Sequence, residues 1–135
     1  MEDEYLSSQP EVLFFDNFLS QETIQRLRRF CHDSTIWFDV KPDGYVGSYA
    51  DDGFSTPLLY QISDELHAAF PRILKGHNLV HMWAYKYDSD EGGINVHADV
   101  AKVNVNFWIT EEVRSGSSRP PHCRSGLFSH DAWVS

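Results

Sequence analysis

The chain is poor in cysteine and in positive charge, and it contains no long apolar run. Cys31 and Cys123 are its two cysteines and neither belongs to a paired motif. A disulfide framework is therefore not expected, and a reduced, cytoplasmic compartment is. Eleven Lys and Arg face 20 Asp and Glu, for a net charge of −9. There is no basic stripe, so a nucleic-acid backbone is an unsuitable partner. The acidic start Met1-Glu2-Asp3-Glu4 lacks the apolar core of a signal peptide. No apolar run approaches the roughly 20 residues needed to span a bilayer, so no membrane segment is expected. Internal repeats are absent too.

What remains is an ordinary globular composition, 41% apolar, with a rich 14% of aromatic residues. At 135 residues it supports one domain. Met1–Pro10 is a polar lead-in. Val12-Leu13-Phe14-Phe15 reads as a short strand, and Ser20 as the cap of a helix over Ser20–His32, with Ile24, Leu27, Phe30 and Cys31 at helical spacing. Arg26, Arg28 and Arg29 fall between them as a solvated face. Ile36–Val40 and Tyr45–Tyr49 are further strand candidates around the turn Pro42-Asp43-Gly44. Asp51-Asp52-Gly53 reads as a turn rather than a metal site. Thr56-Pro57 opens a second helix, Pro57–Phe70, with Leu58, Leu59, Ile62, Leu66, Ala69 and Phe70 on its apolar face. His67 and His77 have no metal-type spacing and read as surface or packing residues.

Leu79–Tyr87 is a strand by its aromatic and β-branched content, with His81, Trp83, Tyr85 and Tyr87 on one face. Lys102–Thr110 alternates cleanly, and the matched apolar stripes predict one sheet containing both strands with the two helices packed on it. Val103, Val105, Phe107 and Ile109 face one way, and Asn104, Asn106 and Trp108 the other. Asn is a poor strand former, so two on one face point to a polar cavity in preference to a solvated surface. After Glu112 the composition changes. Residues 114–135 carry Arg114, Arg119 and Arg124 against the single acid Asp131, with Ser, Pro and Gly throughout. The expected organisation is one domain over 1–113 and an irregular or disordered tail over 114–135.

Between the last two strands lies Gly92-Gly93-Ile94-Asn95-Val96-His97-Ala98-Asp99. In extended backbone, residues i and i+2 point to the same side, so His97 and Asp99 can reach one metal ion together. An imidazole and a carboxylate are two of the three protein ligands of a 2-His-1-carboxylate iron site. A bare His-x-Asp is common by chance at this composition, and its context makes it specific. A strand bearing Tyr85 and Tyr87 precedes it, a Gly-bearing loop contains it, and a strand bearing Asn104, Asn106 and Trp108 follows.

This arrangement over Leu79–Thr110 resembles the Fe(II)- and 2-oxoglutarate-dependent oxygenases, especially their prolyl-hydroxylase-like branch. The strand and helix at Val12–Cys31 resemble that branch's opening more weakly. The resemblance implies an α+β, mainly β fold: a partial double-stranded β-helix, or jelly roll, with two N-terminal packing helices. It implies Fe(II) held by His97 and Asp99, 2-oxoglutarate as cosubstrate, ascorbate as accessory reductant, and hydroxylation of an organic substrate. Tyr85 or Tyr87 would bond the distal carboxylate of 2-oxoglutarate, and Asn104 or Asn106 would line the same pocket. The family also uses a second His and, shortly after it, an Arg. Only His122 and His130 follow Asp99, in an unpatterned segment, and Arg124 does not have the family spacing. The chain is thus expected to be a truncated or frame-altered form of a longer oxygenase, with poor turnover. The apolar face of Val103–Ile109 would be partly uncovered and open to association with another chain. Two other readings compete with this one. One is a catalytically inactive β-rich binding module that keeps the pocket. The other is a small β-sandwich interaction domain in which His97 and Asp99 are an ordinary surface pair.

Overall fold

The computed structural model describes residues 1–42, 44–87 and 100–110, and the backbone of Arg124–Ser129. The fold is α+β, with helices α1 (Glu2–Ser7), α2 (Gln21–Asp33) and α3 (Pro57–Ala69). The strands are β1 (Val12–Asp16), β2 (Asp39–Lys41), β3 (Tyr45–Tyr49), β4 (Trp83–Tyr87), β5 (Val103–Phe107) and β6 (Arg124–Ser129). They form two antiparallel sheets, ordered β1-β6-β5 and β2-β3-β4. The chain divides into two compact units. One comprises Met1–Asp33 with the residues from Ala98 onward, and the other Ser34–His97. No described helix is long and apolar enough to cross a membrane.

In the first unit, the polar lead-in contains a helix that the composition did not announce. Glu2, Asp3 and Glu4 lie in the first turn of α1, where the exposed N–H groups favour negative charge. Tyr5 is buried and anchors it. The Ser20 hydroxyl accepts the Thr23 N–H at 3.1 Å, and α2 follows with Ile24 and Leu27 buried. Arg28 departs from the solvated face expected of it. Its guanidinium donates to the carbonyls of Ile109 and Thr110, just beyond β5.

The registers Leu13↔Leu127 and Val105↔Leu127 put Leu13, Phe15, Val103, Val105 and Phe107 on one face of this sheet. Leu13 and Leu19 are buried, and Phe18 lies 5.6 Å from Phe15 and 6.1 Å from Phe107 between ring centroids. The irregular tail expected over 114–135 is corrected at Arg124–Ser129, which is the central strand of this sheet. A strand flanked on both sides satisfies its backbone N–H and C=O groups whatever its side-chain pattern.

In the second unit, β2 and β3 pair antiparallel, and Gly44, just before β3, has φ 78. A Gly adopts this left-handed geometry without steric cost. Asp51-Asp52-Gly53 is a turn, as expected: residues 50–52 form a short 3-10 helix ended by Gly53 at φ 106. Thr56 caps α3, its hydroxyl accepting the Leu59 N–H at 3.4 Å, with Pro57 following. Leu58, Ile62 and Leu66 are buried at i, i+4 and i+8. Phe54, Phe70, Ile73 and Leu74 are the other buried apolar side chains among the described residues of this unit.

Three strand expectations need correction, the first being Ile36–Val40, whose strand is Asp39–Lys41. Leu79–Tyr87 is a strand only from Trp83, because the partner β3 has residues only for Trp83–Tyr87. Leu79 and Val80 are exposed. The strands carrying Tyr85 and Asn104 were also expected in one sheet beneath both helices. Instead β4 and β5 belong to different sheets.

Candidate functional site

The candidate residues fall into three groups. His97 and Asp99, the expected metal ligands, lie outside the described residues, as do His122 and His130. Tyr85 and Tyr87 are on β4, and Asn104 and Asn106 on β5.

β4 pairs with β3 in the register Tyr45↔Tyr87, Gly47↔Tyr85 and Tyr49↔Trp83. All six residues therefore share one face, because directly opposed residues point the same way. Tyr45 meets both β4 tyrosines. Its ring is edge-on to Tyr85 at 5.3 Å and 83°, and tilted against Tyr87 at 5.3 Å and 31°. Such pairs contribute about 0.5–1.5 kcal/mol beyond their burial. Gly47 leaves the room that Tyr85 uses: a Cβ there would sit 3.2 Å from Tyr85 Cε1. Tyr85 is half-buried and Tyr87 is 48% exposed. Partial burial among these rings raises the Tyr87 phenol above its ordinary value, and the neighbouring Tyr45 adds to the rise. Tyr87 is thus a neutral hydroxyl at physiological pH, able to donate one hydrogen bond.

On the same face, β2 contributes Asp39 and Lys41, opposite Gly47 and Tyr45. Lys41 Nζ and Asp39 Oδ2 are 2.6 Å apart. The Lys41 ammonium, assisted by the Tyr49 hydroxyl, lowers the Asp39 carboxyl against the opposing effect of burial. Asp39 in turn raises the Lys41 amine. Beside Lys41 and Tyr45 is an open recess of about 330 Å³, lined by Trp37, Val40, Lys41, Tyr45, Lys86 and Tyr87 among others. The Lys86 ammonium stands 5.7 Å from the centre of the Trp37 ring, within cation–π range. The recess offers aromatic walls and ammonium groups, a lining that suits an anion.

Asn104 and Asn106 share the β5 face opposite Val103, Val105 and Phe107, and both are half-buried. Phe14 of β1 is on that same side of the sheet and is 55% exposed. The two Asn belong to the first unit and the two Tyr to the second, so each pair is placed within its own sheet. Among the described residues, no group of three or more His, Cys, Asp or Glu side chains gathers to hold a metal.

The residues missed in the sequence are Tyr45, Lys41 and Trp37. The alternation Tyr45-Val46-Gly47-Ser48-Tyr49 was available as a signal. Its alignment with Tyr85 and Tyr87 follows only from the β3–β4 register. The chain matches no protein-family model, no curated protein and no solved structure.

Proposed function

We propose that the chain is an Fe(II)- and 2-oxoglutarate-dependent oxygenase of the hydroxylase type, or a fragment of one, built on part of a double-stranded β-helix. The observation that carries this reading is the setting of His97-x-Asp99. The pair falls in the connection between β4, which ends at Tyr87, and β5, which begins at Val103. The strand entering that connection bears a tyrosine pair on one face.

The donor set fits the metal. A neutral imidazole and a carboxylate are the ligand types of non-haem Fe(II), and thiolate ligands are not required. His97 and Asp99 would hold the ion. When bound, the iron and its cosubstrate supply the oxidising chemistry that hydroxylates a C–H bond. The chain's own part is binding and orientation. The Tyr87 phenol stays protonated and can donate to a cosubstrate carboxylate, and Tyr45 fixes its ring by contact from the neighbouring strand.

A second reading is a β-rich binding module without catalysis. It is favoured by the recess beside Lys41 and Tyr45, whose aromatic and ammonium lining contains no metal ligand.

Metal titration separates the two. Fe(II), or Mn(II) as an air-stable substitute, is titrated into wild type and His97→Ala, and succinate release is followed with Fe(II), ascorbate and 2-oxoglutarate. The oxygenase reading expects weak metal binding that His97→Ala abolishes, with little turnover. It also expects Tyr87→Phe to weaken 2-oxoglutarate binding by roughly 1.5–3 kcal/mol, the scale of one hydrogen bond to a charged group. Metal affinity unchanged by His97→Ala would leave the binding-module reading standing.

A further inference from the structure

His67 lies in the last turn of α3 and plays no part in the function proposed above. Both of its ring nitrogens face backbone carbonyl oxygens. Nδ1 is 2.8 Å from the Ser63 oxygen, one turn back in the helix, and Nε2 is 2.9 Å from the His77 oxygen in the connection that follows. A carbonyl oxygen can only accept. A neutral imidazole carries one N–H, so it serves one of these carbonyls and turns a lone pair toward the other. The imidazolium carries two and serves both.

The geometry points to His67 as a proton-controlled latch: the charged ring ties the α3–β4 connection to the end of α3, and loss of the proton loosens that tie.

The connection is built so that the latch matters. Its first part is anchored by burial, through Phe70, Ile73 and Leu74. It then turns: the Leu74 N–H donates to the Phe70 carbonyl and the His77 N–H to the Leu74 carbonyl, each at 3.0 Å, and Gly76 takes φ 75. Beyond His77, residues 78–81 are all exposed. The Ala50 N–H then holds the Met82 carbonyl at 3.0 Å, just before β4 begins. The His77 carbonyl thus marks the last point before an exposed run that leads into β4.

The charges around the ring act in known directions. The bond to His77 and then the bond to Ser63 raise its pKa, burial opposes them, and the Asp64 carboxylate on the same helix adds to the rise. The titratable side chains of the connection itself are Arg72, Lys75, His77 and His81, all of basic type. A ring whose folded-state pKa lies above its unfolded value, about 6.5, contributes full stability below that value. The contribution is lost as pH rises through the folded-state pKa.

The test uses the full chain and two readouts. The first is the titration of the His67 ring by NMR, which requires no substitution and should give a midpoint above the ordinary histidine value. The second is amide hydrogen exchange over residues 72–82 at pH 6 and pH 8, corrected for intrinsic rates. Wild-type protection should fall by about threefold or more between the two. In H67Q, whose amide N–H groups do not titrate, it should stay level. In H67F it should be low at both pH values. A His67 midpoint at or below about 6.5, or a wild-type protection that does not change with pH, would overturn the latch. So would a pH response that persists in H67Q.

Discussion

Ser48 should be more stable as alanine. It lies at the middle of the β2-β3-β4 sheet, opposite Ala84, on the face away from the tyrosines. It has no exposed surface, and its hydroxyl finds no hydrogen-bond partner among the described residues. Removing a hydroxyl from water without a replacement partner costs about 1–3 kcal/mol. Ser48→Ala deletes that cost. It also deletes one small atom from a packed site, which costs a few tenths to about 1 kcal/mol by cavity scaling. The desolvation saving outweighs the cavity cost, so the net expectation is a gain of about 1 kcal/mol. With a urea slope of about 1–3 kcal/mol/M, the unfolding midpoint should rise by roughly 0.3–1 M at unchanged slope. Ser48→Thr is the control. It keeps the hydroxyl and adds a methyl group to a filled space, so it should lose about 1–3 kcal/mol. Urea unfolding followed by tryptophan fluorescence reports both. A Ser48→Ala chain destabilised by about 1 kcal/mol or more would show that the hydroxyl is satisfied and would refute the expectation.

Two backbone predictions follow from the same unit. Thr56→Ala removes the hydroxyl that caps α3 and should cost about 1 kcal/mol, seen as a lower urea midpoint, while Thr56→Ser should cost much less. Gly53 and Gly76 both have positive φ, but a Cβ at Gly53 would meet Ile36 Cγ2 at 3.0 Å, whereas one at Gly76 would meet nothing within 4 Å. Ala at either position strains the backbone by about 1–2 kcal/mol. Gly53→Ala should therefore be the worse of the two in thermal unfolding, and equal losses would mean that Ile36 yields freely.

Helices α2 and α3 were legible because their signals are local. Ser20 and Thr56-Pro57 mark their starts, and Ile24 with Leu27, and Leu58 with Ile62 and Leu66, mark their buried faces within a few residues of each other. Strands β1 to β5 were legible at least in part as strands, but not as members of a sheet. Alternation along Val103–Phe107 states which residues share a face and says nothing about which strand lies alongside. β6 shows the extreme case. Arg124-Ser125-Gly126-Leu127-Phe128-Ser129 has little strand propensity, and its place between β1 and β5 comes from partners more than a hundred residues before it and about twenty before it. Pairing over that separation leaves no local trace. Arg28 was misread for the same reason: its acceptors, Ile109 and Thr110, are remote in sequence.

The candidate site divides along the same line. His97 and Asp99 lie outside the described residues, so their pairing stands as an expectation drawn from the period of an extended chain and from the sequence around it. The tyrosines needed more. Period two put Tyr85 with Tyr87, while the register Tyr45↔Tyr87 added Tyr45, and Gly47 opposite Tyr85 made the space for that ring. Asn104 and Asn106 are grouped with the tyrosines only by the family resemblance, and their strand belongs to the other sheet. Alternation groups each pair within its own strand, and register alone assigns the strands to sheets: Gly47↔Tyr85 sets β4 beside β3, and Val105↔Leu127 sets β5 beside β6. Neither pairing can be read from one strand by itself, because each is fixed by a partner elsewhere in the sequence.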